Sequence, residues 1–245
     1  MKFLQAKMPF LAAAVFVCVG CSNLPGRPTA DSIPIDPDNI TDFNLLYGKN
    51  CAGCHGADAK GGAALQLGDP VYLAIADDAI MQKAVSKGIL GTSMPAFAKS
   101  AGGMLTDAQV DIIVRGIRER YAKSGALAGA AAPPYTASEP GDAKRGAAAF
   151  EIFCTSCHGP GGKGGPKASS IVEGSFLALL TDGELRTLII VGRPDLGAPD
   201  WRSDFPGKPM TSQEISDVVA WLASQRPQYP GRPYPNAARA AGELP

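Results

Sequence analysis

Apolar residues recur with the period of an α-helix in two separate stretches of the chain. Within each stretch they lie three or four positions apart, on one face of a helix. They are Val110, Ile113, Val114 and Ile117 in the first stretch and Ile215, Val218, Val219 and Leu222 in the second. A capping-box pattern precedes each stretch, at Thr106 and at Thr211, and predicts where the helix begins. Sustained alternation of apolar and polar residues, which would indicate a strand, does not occur. The sequence therefore predicts an all-α fold.

A different apolar pattern lies near the N-terminus, where residues 9–20 form an uncharged run of 12 residues behind two lysines. A run of this length is too short to span a bilayer and is typical of a signal peptide. It ends at VCVGCSN, which resembles the bacterial lipoprotein signal, although Cys18 stands where that signal usually has leucine. We therefore expect residues 1–20 to be a signal peptide, Cys21 to be lipidated, and residues 21–39 to form a proline-rich tether. An ordinary signal peptide or an uncleaved anchor is the alternative.

The rest of the chain contains two similar halves. The motif C-x-x-C-H occurs at 51–55 and again at 154–158, and Lys-Gly-Gly follows each copy. Asp78 lies 23 residues after the first motif histidine, and Asp182 lies 24 after the second. Each half reads as a helix, the motif, a glycine-rich loop, a middle helix and a C-terminal helix, which indicates a domain duplication. The predicted segments are the domains 40–122 and 142–226, an Ala/Gly/Pro-rich linker 123–141 and a proline-rich tail 227–245.

Composition adds two constraints to this organisation. The 23 basic and 23 acidic residues give a formal net charge of zero, so nothing indicates a nucleic-acid partner. The 29 glycines and 21 prolines indicate that much of the chain is loop. A loop-rich domain of roughly 80 residues buries little surface and usually needs a cofactor or another cross-link. We therefore expect a bound group to complete each core.

The cysteines and histidines indicate what that group is. The chain has six cysteines and two histidines, and both histidines directly follow a C-x-x-C. A zinc site would need a second pair of ligands in each half, and neither half has another cysteine or histidine. A thioredoxin-like redox pair would lie beside a strand–helix unit, which the pattern does not show. Covalent haem uses every motif residue, with two thioether bonds and a proximal histidine. The sequence therefore predicts two haem c groups, attached at Cys51, Cys54 and His55 and at Cys154, Cys157 and His158.

With these motifs, each half resembles a class I c-type cytochrome domain. In that family a glycine eight residues before the first haem cysteine lets the N-terminal helix cross the C-terminal helix, and an aromatic residue lies four before that cysteine. The second half has Gly146 and Phe150 at these positions, and Trp221 on its C-terminal helix. The resemblance implies two tandem domains, each a small helical fold around a covalent haem.

The first half departs from the family pattern at the helix crossing. Tyr47 matches the aromatic position, but Phe43 occupies the glycine position and Gly116 occupies the position of Trp221. We interpret this as an exchange of large and small residues that conserves volume at a close-packed contact. It predicts that Phe43 packs against Gly116, as Gly146 packs against Trp221. A coincidence or a shifted alignment is the alternative.

The resemblance also implies a distal methionine on each haem iron. Met94, 39 residues after His55 and followed by proline, resembles the family's axial-methionine loop, so we expect it to bind the first iron. The aligned residue in the second half is Ala198, and Met210 is the only methionine after residue 104. We predict Met210 as the second distal ligand. An open iron and a lysine such as Lys208 are the alternatives.

The function implied by the resemblance is relay of single electrons, without catalysis and without a small-molecule substrate. We expect a lipid-anchored di-haem cytochrome at the periplasmic face of the bacterial cytoplasmic membrane, as part of a respiratory or photosynthetic chain. The expected partner is a membrane redox complex: a quinol-oxidising complex, a terminal oxidase or a reaction centre. Two alternatives are a di-haem peroxidase or ligand-binding haem protein with an open second iron, and an electron-accepting subunit of a periplasmic dehydrogenase.

Overall fold

The computed structural model describes residues 34–202 and 208–227. In these ranges the chain forms ten α-helices, four short 3₁₀ turns and two isolated β-bridges, but no β-strand, which confirms the predicted all-α fold. Within the same ranges, every helix is too short or too polar to cross a lipid bilayer. The predicted signal peptide, Cys21 and nearly all of the predicted tail lie outside the described residues.

The helices occur in the same order in both repeats. The first repeat contains α1 (Phe43–Asn50), α2 (Ala52–His55), α3 (Pro70–Ile75), α4 (Asp78–Lys87) and α5 (Asp107–Tyr121). The second contains α6 (Ala143–Phe153), α7 (Thr155–His158), α8 (Gly174–Ala178), α9 (Asp182–Val191) and α10 (Ser212–Ser224). Both repeats belong to one compact unit of the chain, which begins at Thr41.

Local capping explains where several helices begin. The capping boxes predicted at Thr106 and Thr211 are both present, at the starts of α5 and α10. A third capping box, at Thr181, starts α9. The predicted middle helix of the first repeat is two helices, because the Asp77 side chain accepts a hydrogen bond of 2.8 Å from the Ile80 N–H and starts a new helix there.

The crossing of α1 and α5 has the packing predicted for the first repeat. A Cβ atom added to Gly116 would lie 2.6 Å from Cε2 of Phe43, so the ring fills the space that the glycine leaves. The half-buried Phe43 ring also stacks on Tyr47, with centroids 5.5 Å apart, and lies 3.9 Å from the Arg120 guanidinium carbon. The predicted contact of Phe43 with Gly116 is confirmed.

The crossing of α6 and α10 has the opposite arrangement. A Cβ atom added to Gly146 would meet the backbone carbonyl oxygen of Asp217 and lie 2.9 Å from Cβ of Trp221. The Trp221 ring lies 4.4 Å from the Phe150 ring, centroid to centroid. The two repeats therefore reach the same close helix contact with the large residue on opposite helices.

The linker between the repeats is held by a buried arginine of α9. Arg186 is 3% exposed. Its Nε and Nη2 donate to the Pro134 carbonyl oxygen at 3.1 and 2.9 Å, and its Nη2 and Nη1 donate to the hydroxyls of Ser212, at 2.8 Å, and Ser216, at 3.1 Å. A guanidinium has five N–H donors in a fixed fork, which suits several acceptors at once. The linker is therefore bonded to the same arginine that joins α9 to α10.

Candidate haem-attachment site

Each C-x-x-C-H motif lies at a junction of two helices. The N–H of Cys51 donates to the Tyr47 carbonyl oxygen at 2.8 Å and ends α1, and Cys51 then precedes the first residue of α2. Cys154 has the same place between α6 and α7. Burial, with a smaller contribution from the second cysteine of the motif, raises the pKa of both Cys51 and Cys154 to about 12. The short helix α2 or α7 then presents the second cysteine and the histidine within one turn.

The motif histidines are both held by backbone carbonyl groups. Nδ1 of His55 lies 2.7 Å from the Leu65 carbonyl oxygen, and Nδ1 of His158 lies 3.1 Å from that of Ser169. A carbonyl oxygen only accepts, so each Nδ1 carries the proton and each Nε2 keeps a lone pair. This is the arrangement by which proteins orient a metal-binding histidine. Burial also lowers the pKa of His55, which favours the neutral form that can bind a metal.

Both motifs and both predicted methionines line one cavity. Its volume is about 1480 Å³. A pocket for one small ligand is usually about 300–1,000 Å³. The lining includes Cys51, Cys54, His55, Met94, Cys154, Cys157, His158 and Met210. The structure thus brings together all eight residues that the sequence indicated, and the histidine geometry and the cavity fit covalently attached haem. Iron ligation by each of these residues stays a prediction.

The loop that carries Met94 packs over the end of α4. A Cβ atom added to Gly88 would lie 2.7 Å from the Met94 carbonyl oxygen, and Gly88 has a positive φ of 66°. In the second repeat a Cβ atom added to Gly192 would lie 2.7 Å from the Ala198 carbonyl oxygen, and its φ is 73°. Ala198 therefore occupies the loop position of Met94, as the sequence alignment predicts, and both residues line the cavity.

Met210 reaches the cavity from another position, at the start of α10. It is 6% exposed, and its N–H donates to the Trp201 carbonyl oxygen at 2.8 Å. In the first repeat the N–H of Leu105 makes the same bond of 2.8 Å to Phe97, so Met210 is the counterpart of a core leucine. The alternative ligand Lys208 is exposed, and its Nζ lies 5.3 Å from the centroid of the Phe153 ring. These positions favour Met210 over Lys208.

Among the polar residues that line the cavity and that sequence reasoning missed are Tyr72, Tyr135 and Arg193. Burial is the main reason why the pKa of both tyrosines is raised. A direct comparison of the repeats could have indicated Arg193, because the residue that follows the paired glycine is Ile89 in the first repeat and Arg193 in the second. The tyrosines belong to α3 and to the linker, where no repeat pattern identifies them.

Comparison with known proteins identifies a family. A family model described as "Cytochrome C oxidase, cbb3-type, subunit III" matches residues 38–115 and 141–222. No curated protein sequence matches the chain significantly. A chain in the solved structure of a reducing HAO-like protein complex from Kuenenia stuttgartiensis is 16% identical, and the match covers 79% of the present chain and 100% of that chain with a TM-score of 0.42. A likeness of that size supports no inference here.

Proposed function

The chain belongs to the family of cytochrome c oxidase, cbb3-type, subunit III, and from that premise we propose that it is a lipid-anchored di-haem cytochrome that relays single electrons to a terminal oxidase. It is a c-type cytochrome with two tandem repeats and an electron-transfer role. The number of haems, the lipid anchor, the location at the periplasmic face of the membrane and the oxidase partner belong to the proposal.

The observation that carries the proposal is the pair of histidines held through Nδ1 beside their cysteines, on one shared cavity. Haem iron bound by histidine and methionine supplies a one-electron couple with a raised reduction potential. The residues of the chain attach the group, orient its proximal ligand and surround it with apolar side chains. Because both motifs open into the same cavity, an electron would pass between the two sites without crossing a separate protein layer.

Haem counting tests the core of the proposal. The full chain, produced in cells that attach haem c, should contain two haems per chain, measured from absorbance after conversion to the pyridine complex and from protein concentration. Replacing Cys51 and Cys54 by alanine should leave one haem, and so should replacing Cys154 and Cys157. A wild-type ratio of one, or an unchanged ratio in either double variant, would refute the di-haem assignment.

Membrane anchoring is tested separately at Cys21. The Cys21→Ser chain should move from the membrane fraction to the soluble periplasm and still carry both haems. The support for this part is the N-terminal sequence alone, because Cys21 lies outside the described residues. Membrane retention of Cys21→Ser would replace the lipid with an uncleaved helix or a partner complex as the anchor.

Affinity purification from detergent-solubilised membranes tests the partner. A tagged chain should retain an oxidase that consumes oxygen when it receives electrons through the chain. Recovery with a quinol-oxidising complex, a reaction centre or a periplasmic dehydrogenase would replace the oxidase with that partner. The family membership favours the oxidase among these.

A further inference from the structure

Arg193 connects the two repeats at the cavity. Its Nε and Nη2 each donate to the Asp195 carboxylate at 2.9 Å, and Nη2 also donates to the Gly62 carbonyl oxygen of the first repeat at 3.1 Å. The side chains of Arg193 and Asp195 are 18% and 26% exposed, so the ion pair is partly open to water. Arg193 also lines the cavity.

The segment that receives this contact supports the first proximal histidine. A Cβ atom added to Gly62 would lie 2.7 Å from the carbonyl carbon of His55, so this glycine packs directly on the histidine backbone. Three residues later, the Leu65 carbonyl oxygen accepts from His55 Nδ1. Gln66, the next residue, is buried and lies beside Asp195, where it helps to lower the pKa of that aspartate. The Nε2 atom of Gln66 makes no hydrogen bond within the described residues. The pair therefore touches both ends of the segment that orients His55.

Arg193 is also fixed on the distal side of the second site. Its N–H donates to the Ala198 carbonyl oxygen and the Ala198 N–H donates back to Arg193, both at 3.0 Å. Ala198 stands where the first repeat has Met94, and it lines the cavity. One arginine thus joins the distal loop of the second site to the proximal loop of the first.

The repeats are not symmetric at this position. Arg193 and Asp195 are matched in the first repeat by Ile89 and Gly91, which carry no charge. The Arg193 guanidinium is the largest cause that holds the pKa of Asp195 below its usual range, so the aspartate is anionic and paired. The second repeat therefore places an ion pair beside the first site, whereas the matching positions of the first repeat, Ile89 and Gly91, form no ion pair.

We propose that the Arg193–Asp195 pair is a positioning pair by which the second repeat sets the reduction potential of the first haem. The proposal rests on the proposed function, since it requires two haems. Removing the positive member would leave an unpaired negative charge at Asp195, beside the segment 62–66 that holds His55. That charge would favour the ferric state and lower the first potential. Removing the negative member would leave Arg193 unpaired and raise that potential. Partners of a metal-binding histidine are known to tune the metal in this way.

The test is a redox titration of the full, haem-loaded chain with Arg193→Gln and with Asp195→Asn. Each variant is also made with Cys54→Ser, which leaves one thioether bond on the first haem and displaces its reduced absorption band, so that the first haem is read separately. Arg115→Gln is the matched control, because Arg115 pairs with Glu119 at 4.0 Å on the exposed surface of α5. Arg193→Lys keeps the charge but loses the two-pronged contact with Asp195.

We expect Arg193→Gln to lower and Asp195→Asn to raise the midpoint potential of the first haem, and both to move that of the second haem by less. Arg193→Lys should restore most of the potential, and Arg115→Gln should move neither. Unmoved potentials in both pair variants would overturn the inference, and so would equal shifts of both haems. Haem content is measured first: a wild-type chain without two haems would refute the proposed function, whereas unmoved potentials at full haem content would refute this inference alone.

Discussion

Replacing Gly146 with alanine would place a methyl group between α6 and α10 where neither neighbour can move aside. The added Cβ would meet the Asp217 carbonyl oxygen, which is backbone, and lie 2.9 Å from Cβ of Trp221, which is fixed to its own helix. The same replacement at Gly116 would meet the ring of Phe43, a half-buried side chain that can rotate outward. The two glycines therefore predict different costs for the same change.

The magnitudes follow from two opposing effects. Alanine stabilises a helix by about 1 kcal/mol relative to glycine. Overpacking of a close contact destabilises by about 1–3 kcal/mol, and a forced backbone shift belongs at the upper end of that range. We therefore expect Gly146→Ala to lower the free energy of unfolding by about 2 kcal/mol, and Gly116→Ala to leave it nearly unchanged. At about 2–4 °C per kcal/mol for a domain of this size, Gly146→Ala should lower Tm by about 4–8 °C.

Urea and thermal unfolding of the haem-loaded chain, followed by far-UV circular dichroism, measure these differences. Gly48→Ala is the matched control, because Gly48 lies in α1 and a Cβ atom there would have no neighbour within 4 Å. It should stabilise by up to about 1 kcal/mol. If Gly146→Ala were as stable as Gly48→Ala, the close contact between α6 and α10 would be wrong.

Two further predictions concern acid stability and the second iron. Arg145, and then the Asp142 N–H, hold the pKa of buried Asp217 below its usual range. The contribution of Asp217 to stability is therefore complete above about pH 4, the pKa of the unfolded chain, and is lost as the pH falls through the folded pKa. Asp217→Asn should flatten the acid side of the stability curve, and an unchanged acid side would contradict the assignment. Met210→Ala should halve the ferric methionine–iron charge-transfer band and let one haem per chain bind carbon monoxide. Lys208→Ala is the control and should change neither. Carbon monoxide binding to the wild type, with no spectral change in Met210→Ala, would instead indicate an open second iron.

Local chemistry made much of the fold predictable. The capping boxes at Thr106 and Thr211 start helices because the side chain and backbone that bond there are three residues apart. The contact of Phe43 with Gly116 was also predictable, because the second repeat has a small and a large residue, Gly146 and Trp221, at the matching positions of its own crossing. The division of the middle helix at Asp77 depends on an equally local cap, which the helical pattern concealed.

Contacts between distant loops could not be predicted in the same way. The carbonyl groups of Leu65 and Ser169 that hold the histidines belong to segments without a periodic pattern, and any residue type could supply a carbonyl. The bond from Arg193 to Gly62 joins residues 131 positions apart, so only the folded arrangement reveals it. The position of Met210 likewise depends on the loop after Trp201, whose residues 203–207 lie outside the described ranges.

The two hydrogen bonds from Arg186 to the Pro134 carbonyl oxygen determine where the chain can be cut into stable fragments. Cutting at residue 142, the start of the second domain predicted from the sequence, would discard the carbonyl oxygen that two N–H groups of Arg186 use. A buried donor left unsatisfied destabilises by about 1–3 kcal/mol, and a charged one by more. A fragment that begins before Pro133 should therefore fold better than one cut at the sequence boundary, although it adds no residue of the repeat itself. Duplication at the level of the gene thus did not leave two interchangeable modules.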